Sequence, residues 1–187
     1  EVLVLDEADQ MFDMGFLPSI RKILAKIPKQ RQTLLFSATM PDALRGLAHE
    51  CLNNPLTVQV DHNVALTTVT HALYPVVEHL KTPLLLALLQ KIDSESVLVF
   101  TRTKHRAKRI ADKVKEAGHS STSLQGNLSQ NRRKAALDSF REGKVHVLVA
   151  TDIAARGIDV SQISHVINYD ITDTPEAYVH RIGRTGR

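Results

Sequence analysis

The chain of 187 residues is 43% hydrophobic and 24% charged, which is ordinary for a folded globular protein and excludes wholesale disorder. No apolar run approaches the ~18 residues of a membrane span, and the single cysteine, Cys51, excludes an internal disulfide; with no signal-peptide pattern, we expect a cytoplasmic location. The net charge of +4 permits nucleic-acid binding but does not demand it, because clustering of charge matters more than its sum.

The first predicted element is an apolar strand that runs directly into acidic residues. Val2–Leu5 has no polar alternation, which is typical of a strand buried on both faces of a parallel sheet. Asp6, Glu7 and Asp9 follow at its carboxyl end, where open α/β sheets bind ligands. Such carboxylates suit Mg²⁺ and phosphates, with Asp6 holding the ion and Glu7 orienting or deprotonating a water. The alternative is a solvated acidic turn, since acids favour helix N-termini.

Similar apolar runs alternate with helix-like segments along the rest of the chain. This alternation indicates βαβ units and an α/β fold with a parallel sheet flanked by helices. The later predicted strands are 33–36, 56–60, 97–100, 145–150 and 165–169. Capping signals predict helices that begin near Pro41, after Thr82, after Thr103 and after Ser129, the last two ending at Gly118 and Gly143.

The strand and helix pattern breaks near Asp61, where we predict a domain boundary. Residues 62–68 would be a linker between a first piece, 1–61, and a second, 69–187. The first piece is short, and ~60 residues bury so little surface that such a domain is only marginally stable on its own. The second has the size of an ordinary domain.

Two later clusters place polar groups after predicted strands. Ser37 and Thr39 follow one strand, although two small hydroxyls there are more often a helix cap. Segment 151–159 could bind a phosphate, a nucleic-acid backbone or a ribose, or could simply connect a strand to a helix. Its relevant members are Thr151, Gly157 and Asp159.

The end of the chain repeats arginine at every third position with glycines between. Guanidinium forks near a helix end suit phosphate and can act as arginine fingers, although a loose Arg/Gly tail that binds RNA is a real competitor. The residues concerned are His180, Arg181, Arg184 and Arg187. The basic helix 104–117 is expected to be a solvated face, and the nine histidines show no metal-binding spacing.

Four segments resemble, in chain order, motifs II, III, V and VI of the DEAD-box ATP-dependent RNA helicases. They are Asp6-Glu7-Ala8-Asp9, Ser37-Ala38-Thr39, 151–159 and 180–187. Residues 97–103 look like motif IV, and 125–127 with 130–133 look like the RNA-contacting segment between motifs IV and V. The resemblance covers essentially the whole chain and is nearest to bacterial members of the RhlE-like group. It implies a P-loop NTPase helicase core in which two RecA-like domains close over ATP and single-stranded RNA.

The resemblance also implies a role for each matching residue. Residues 1–61 would be the C-terminal part of the first RecA-like domain, and 69–187 the second domain without its last strand and helix. Asp6 and Glu7 would serve Mg²⁺ and the attacking water, and Arg184 and Arg187 would be the arginine fingers. Asp9 would meet Ser37, Thr39 and His180 to couple hydrolysis to domain closure, Arg181 would support the interface, and Gly157 and Asp159 would approach ATP. Thr101, Arg102, Gly126, Arg133 and Thr151 would line the RNA backbone path.

One departure from the family pattern changes what we expect of the isolated chain. The sequence contains no G-x-x-x-x-G-K-[ST] loop, the backbone cradle that holds the β and γ phosphates. The intact parent is therefore expected to be an RNA-stimulated ATPase, and residues 1–187 alone to be nearly inert. Uncovered strands in the first piece predict a disordered or rearranged first segment, or an element-swapped homodimer. A non-catalytic RNA-binding or scaffold module and a helicase acting on DNA remain as alternatives.

Overall fold

In the computed structural model, the chain divides into two compact units, residues 1–60 and 61–187. The structure describes residues 1–59, 69–92, 96–155 and 163–186, so the predicted linker at 62–68 lies outside the described residues. Each unit contains a parallel sheet accompanied by helices. This confirms the predicted α/β fold class.

The first unit contains a two-stranded parallel sheet and three helices. In chain order they are β1 Val2–Leu5, α1 Ala8–Asp13, α2 Leu17–Leu24, β2 Gln32–Leu35 and α3 Asp42–Cys51. Leu5 pairs with Leu35 in the ladder, so the segments that follow the two strands leave the sheet side by side. Leu5 packs with Ile20, Leu44 and Leu47 in the core of this unit.

One face of this small sheet lacks an apolar cover within the described residues. Val2 and Val4 are 63% and 51% exposed, whereas Leu5 is 9% exposed. Period-two alternation puts Val2 and Val4 on the face opposite Leu5, so burial is one-sided. The expectation that β1 is buried on both faces is therefore wrong for this structure.

The predicted strand at 56–60 is also wrong for the residues that the structure describes. Residues 56–59 form no strand, and residue 60 lies outside the described part of the chain. Leu56 and Val58 are 90% and 78% exposed. A β-prone sequence holds a strand only when a partner strand and an apolar surface support it, and within the described residues no strand pairs with 56–59.

The second unit has a four-stranded parallel sheet in the order β4-β5-β3-β6. After a 3₁₀ turn at Glu78–Leu80, the elements are α4 Lys81–Lys91, β3 Val97–Phe100, α5 Lys104–Glu116, β4 Ser121–Leu124, α6 Gln130–Arg141, β5 Val147–Ala150, α7 Asp152–Ala155, β6 His165–Asn168 and α8 Pro175–Ile182. Because all four strands are parallel, their carboxyl ends meet at one edge of the sheet.

The central strands of this sheet are buried on both faces. All residues of β3 and β5 are buried, as the continuous apolar runs predict. Val99 packs with Ile110 of α5 on one face, and Phe100 packs with Phe140 of α6 on the other. The edge where the carboxyl ends of the strands meet therefore belongs to a sheet whose central strands are packed on both faces.

Two of the predicted helix caps are confirmed and one is wrong. Thr103 and Ser129 accept hydrogen bonds from main-chain N–H groups of the first helical turns, at 3.2 and 3.4 Å. Thr82 caps nothing, because α4 already begins at Lys81 and the Thr82 hydroxyl bonds the Tyr169 hydroxyl at 2.9 Å.

Candidate functional site

The acidic tip of β1 has an unusual backbone. Glu7 precedes α1 with φ 49° and ψ 46°, the left-handed region that non-glycine residues enter at a cost of ~1–2 kcal/mol. Its N–H donates to Oδ1 of Asp6 at 2.9 Å, and the next N–H, that of Ala8, donates to the carbonyl of Phe36 at 3.0 Å. Strain of this kind collects at functional sites, where the surrounding structure holds it in place.

The acidic tip fits a metal ion only in a particular way. Asp6 is exposed, and among the described residues no group of three or more candidate side chains could hold a metal. One exposed carboxylate suits a hydrated Mg²⁺ whose other ligands are water and phosphate oxygens. It does not suit an ion held by protein ligands alone.

Asp9 connects the two segments that follow β1 and β2. Its Oδ2 accepts hydrogen bonds from both the main-chain N–H and the hydroxyl of Thr39, each at 2.9 Å, and its Oδ1 accepts the N–H of Gln10 at 2.9 Å. The Ser37 hydroxyl accepts the N–H of Asp9 at 3.2 Å and donates to the carbonyl of Thr39 at 2.5 Å. The structure thus brings Asp9 together with Ser37 and Thr39, which lie 28 and 30 positions further along the chain.

The environment of Asp9 keeps its carboxylate ionised. Burial by itself raises the pKa of Asp9, but hydrogen bonds from Thr39, Gln10 and Ser37 outweigh burial and hold the pKa below its usual 3.8. Asp9 is only 4% exposed. A buried anion satisfied in this way is costly to disturb, because removing a donor leaves charge without compensation.

In the second unit, predicted RNA-facing residues follow three neighbouring strands of the sheet. Arg102 comes after β3, Gly126 after β4 and Thr151 after β5, so parallel pairing gathers them at one edge. Arg133 lies in the first turn of α6, half-buried. Lys104 at the start of α5 donates to the side chain of Asn127 at 3.2 Å, which links the loops after β3 and β4.

Thr101 and Arg102 are adjacent but differ in exposure. Thr101 is fully buried, and its hydroxyl is within 3.5 Å of the carbonyls of Thr103 and Ala150. Its side chain supports the loop from inside, and its place on the RNA path stays a prediction. The Arg102 side chain is 60% exposed and pairs with Asp173 at 3.0 Å.

Arg181 is held entirely inside the second unit. It is 3% exposed, binds both carboxylate oxygens of Asp152 at 2.6 and 2.8 Å, and reaches the Asn168 side chain at 2.9 Å and the Asp170 carbonyl at 2.6 Å. Its guanidinium also lies 4.9 Å from the centre of the Phe100 ring. Arg181 therefore ties α8 to the carboxyl ends of β3, β5 and β6.

The remaining predicted site residues lie around the end of α8. His180 is half-buried in its last turn, and Arg184 is half-buried in the turn that follows. Thr185 fixes that turn, since its hydroxyl donates to the carbonyl of Ile163 at 2.5 Å. Gly157, Asp159 and Arg187 lie outside the described residues.

Two acidic residues at the same edge of the sheet were not among the predicted site residues. Asp152 holds Arg181, and Asp170 is 4% exposed and holds the loop after β3. Asp170 directly follows a predicted strand and Asp152 follows one after a single residue, which is the signal that identified Asp6. Their partners lie 29 and 68 positions away, so no local pattern could supply them.

Comparison with known proteins agrees with this geometry. Residues 1–47 match the DEAD/DEAH box helicase family, and residues 80–187 match the helicase conserved C-terminal domain. The chain is 45% identical to the DEAD-box ATP-dependent RNA helicase CshA of Geobacillus kaustophilus over 186 residues, 99% of this chain and 40% of that protein. It is 46% identical to the RNA helicase CrhR of Synechocystis, over 98% of this chain and 38% of that protein.

A solved structure of yeast Dbp5 bound to RNA and ADP BeF3 is similar over the whole chain. The TM-score is 0.84 at 34% identity, and 50% of that chain is covered. Parallel sheets flanked by helices are those of a RecA-like helicase core. The chain belongs to the DEAD-box helicase family.

Members of this family use ATP with a divalent metal. The chain spans about 40% of the length of the curated relatives that it matches. Among the described helices, none has both the length and the hydropathy that crossing a membrane requires. The finer resemblance to the RhlE-like group stays a prediction.

Proposed function

We propose that this chain forms the part of an ATP-dependent RNA helicase core that couples ATP hydrolysis to RNA binding and local duplex opening. Residues 1–61 would be the C-terminal part of the first RecA-like domain and 69–187 most of the second. The observation that carries the proposal is the buried Asp9, whose carboxylate accepts the Thr39 hydroxyl and whose main-chain N–H donates to the Ser37 hydroxyl. This contact joins the acidic motif to the hydroxyl motif as the family resemblance predicts.

The first unit would supply the groups for attack on the terminal phosphate of ATP. Glu7 would orient or deprotonate the attacking water, a contribution that is typically worth 10²–10⁴ in rate. Asp6 would hold Mg²⁺ through water, and the bound ion would neutralise charge that develops on the phosphate oxygens. Asp9 and Thr39 would fix the position of the segment that carries Glu7, since Asp9 lies in the first turn of α1, two residues after Glu7.

The second unit would supply the RNA path and the cationic groups for the nucleotide. Arg102, Gly126 and Thr151 lie after neighbouring parallel strands, which suits contact with a sugar-phosphate backbone and predicts little sequence preference. Arg184 and Arg187 would be the arginine fingers, and Gly157 with Asp159 would meet the ribose. His180 would complete the coupling through Asp9.

A chimaera tests the catalytic proposal. Residues 1–187 would replace the matched segment of the Geobacillus kaustophilus CshA protein, which makes up 40% of that protein. We expect RNA-stimulated ATP hydrolysis that Glu7→Gln lowers by at least ~10²-fold in kcat. The matched control is Glu50→Gln, which changes an exposed glutamate paired with Arg21 on the surface. Residues 1–187 alone should show almost no turnover.

The same chimaera separates this function from the non-catalytic alternative. A chimaera that binds RNA and shows equal turnover with glutamate or glutamine at position 7 would favour an RNA-binding or scaffold module. A competition between RNA and DNA strands of one sequence separates an RNA helicase from one acting on DNA.

Two further expectations belong to the same proposal. The exposed apolar face of β1, with Val2 and Val4, supports an element-swapped homodimer of residues 1–187. The buried thiol of Cys51, with no other cysteine in the sequence, supports a reducing cytoplasmic location.

A further inference from the structure

Asp170 is a buried acid whose carboxylate accepts hydrogen bonds from three residues. It follows β6 and is 4% exposed. Its Oδ2 accepts the main-chain N–H of Arg102 at 2.9 Å, and its Oδ1 accepts Nη1 of Arg106 at 2.5 Å and Nζ of Lys81 at 3.4 Å. One carboxylate thus joins three segments that are distant in sequence.

The rest of the network keeps this carboxylate charged and in place. Glu78 lies on the outer side and pairs with both Arg106 and Lys81 at 3.0 Å, which balances two acids against two bases. Burial raises the pKa of Asp170, but the N–H of Arg102 and the cations of Arg106 and Lys81 outweigh burial and lower it.

The main chain of Asp170 is fixed as firmly as its side chain. Its N–H donates to the carbonyl of Phe100 at 3.3 Å, and its carbonyl accepts Nη1 of Arg181 at 2.6 Å. Asp170 is therefore bonded to the end of β3, to the loop after β3 and to the helix that carries Arg181. Two of its partners, Arg102 and Arg181, line an open pocket of about 240 Å³ together with Asp173 among others.

We propose that Asp170 is the positioning residue that holds Arg102 for contact with RNA phosphate and ties that loop to α8. This inference rests on the proposed function, because it takes the Arg102 loop as part of the RNA path. The side chain of Arg102 is exposed and bound only at its tip, by Asp173, among the contacts that the structure gives for it. Its direction is consequently set by its main chain, which Asp170 holds.

Asparagine at position 170 cannot reproduce this arrangement. The carboxylate accepts at both oxygens, whereas an amide has one acceptor oxygen and one donor nitrogen. In one orientation the NH₂ group of Asn faces the N–H of Arg102, and in the other it faces Arg106 and Lys81. Either way one contact of the network becomes repulsive, so Asp170→Asn should release the loop or the cations around it.

The change in net charge and the loss of a positioned side chain predict opposite effects of Asp170→Asn on RNA affinity. Removing a negative charge raises the net positive charge, and binding dominated by phosphate neutralisation should then become tighter. Loss of a positioned guanidinium should instead weaken binding roughly tenfold, as expected for one charge-assisted contact. The control is Asp112→Asn, which makes the same charge change at an exposed site on α5.

The experiment measures binding of a fluorescein-labelled 12-nucleotide oligouridine to residues 1–187 by anisotropy at low salt. We expect Asp170→Asn to weaken binding about tenfold, Asp112→Asn to leave it equal or tighter, and Asp170→Asn to have no further effect in an Arg102→Ala background. Tighter binding by Asp170→Asn, or equal weakening with and without Arg102, would overturn the inference while leaving the proposed RNA function standing. Failure of the unsubstituted chain to bind would overturn both.

A second measurement needs no variant and so does not depend on whether Asp170→Asn folds. The Arg102 amide should exchange with solvent slowly, at a rate near that of its buried neighbour Thr101, even though the Arg102 side chain is exposed. An Arg102 amide that exchanges as fast as that of Gly126 in the exposed loop after β4 would mean that Asp170 does not hold it, and the inference would fall.

Discussion

Replacing Asp9 with asparagine tests whether the buried carboxylate organises the first unit. The Thr39 N–H and hydroxyl both donate to one oxygen of Asp9, and the Gln10 N–H donates to the other. Asparagine has a single acceptor oxygen, so its amide nitrogen must face one of these donor sets. At least one charge-assisted hydrogen bond is lost, and two N–H groups are pressed together.

The structure allows the size of this effect to be worked out. A hydrogen bond to a charged group is worth about 1.5–3 kcal/mol, so Asp9→Asn should lower the opening free energy of the first unit by about 2 kcal/mol. Since each 1.4 kcal/mol is about a factor of ten, amide exchange that requires this opening should accelerate roughly thirtyfold. The amides to follow are those of Ala8 and Phe36, which bond across the ends of β1 and β2 at 3.0 and 2.7 Å.

Residue-resolved hydrogen exchange reports the stability of each unit separately, whereas a single unfolding curve combines the two. Val99 and Val149 in the second unit serve as internal references and should be unchanged. Asp42→Asn is the matched control, because Asp42 is fully exposed and lies 3.7 Å from Arg45 in a surface pair. Acceleration below threefold at Ala8 and Phe36, or equal acceleration with Asp42→Asn, would refute the reasoning.

The same carboxylate predicts a dependence on pH. The pKa of Asp9 is lower in the folded state than its usual 3.8, so the unfolded state binds a proton more readily. The stability that Asp9 contributes is thus fully present above the unfolded pKa and is lost as pH falls through the folded pKa. The thirtyfold difference between the parent chain and Asp9→Asn should accordingly be present at pH 6 and shrink below about pH 4.

Two further predictions concern backbone strain and the buried arginine. Because Glu7 has φ 49°, the Glu7→Gly variant should be about 1 kcal/mol more stable than the Glu7→Ala variant in urea unfolding. At Lys22, which lies inside a helix, the glycine variant should instead be about 1 kcal/mol less stable than the alanine variant. The same order of stability at both sites would contradict the strain argument. Arg181→Lys should lower the unfolding free energy of the second unit by about 3 kcal/mol, since lysine cannot hold Asp152 and Asn168 together. Exposed Arg141→Lys should cost less than about 0.5 kcal/mol, and a similar loss at both arginines would show that the buried contacts of Arg181 carry no special weight.

The sequence predicted the large features of the fold because apolar periodicity is local. The runs at β3 and β5 are continuous and buried, and the caps Thr103 and Ser129 bond within the first turn that they begin. The strand β4 escaped detection because its sequence, Ser-Thr-Ser-Leu, is mostly polar, as an edge strand allows. The hydroxyl of Ser121 in β4 is satisfied by the carbonyl of Ala111 at 2.7 Å, a contact that no strand propensity encodes.

The candidate site was predictable in its residues but only partly in their division of labour. Family motifs identified Asp9 and Arg181, and nothing in the motifs says that both are almost completely buried. Burial depends on partners far away in the chain, such as Thr39 for Asp9 and Asp152 for Arg181. Those contacts became visible only when the strands were placed in register.

Burial separates the residues that hold the site from those that can touch a ligand. Asp9, Asp170 and Arg181 have 3–4% exposure and have hydrogen bonds that converge on them from several segments. Asp6 and Arg102, which follow β1 and β3, are exposed, and in a solvated position a side chain gains little from internal pairing. A buried ionic group in one of these motifs is consequently expected to hold the local structure in place, because its donors and acceptors are already occupied. An exposed group beside it is the better candidate for contact with phosphate, and substitutions there should change binding while leaving hydrogen exchange in the core unchanged.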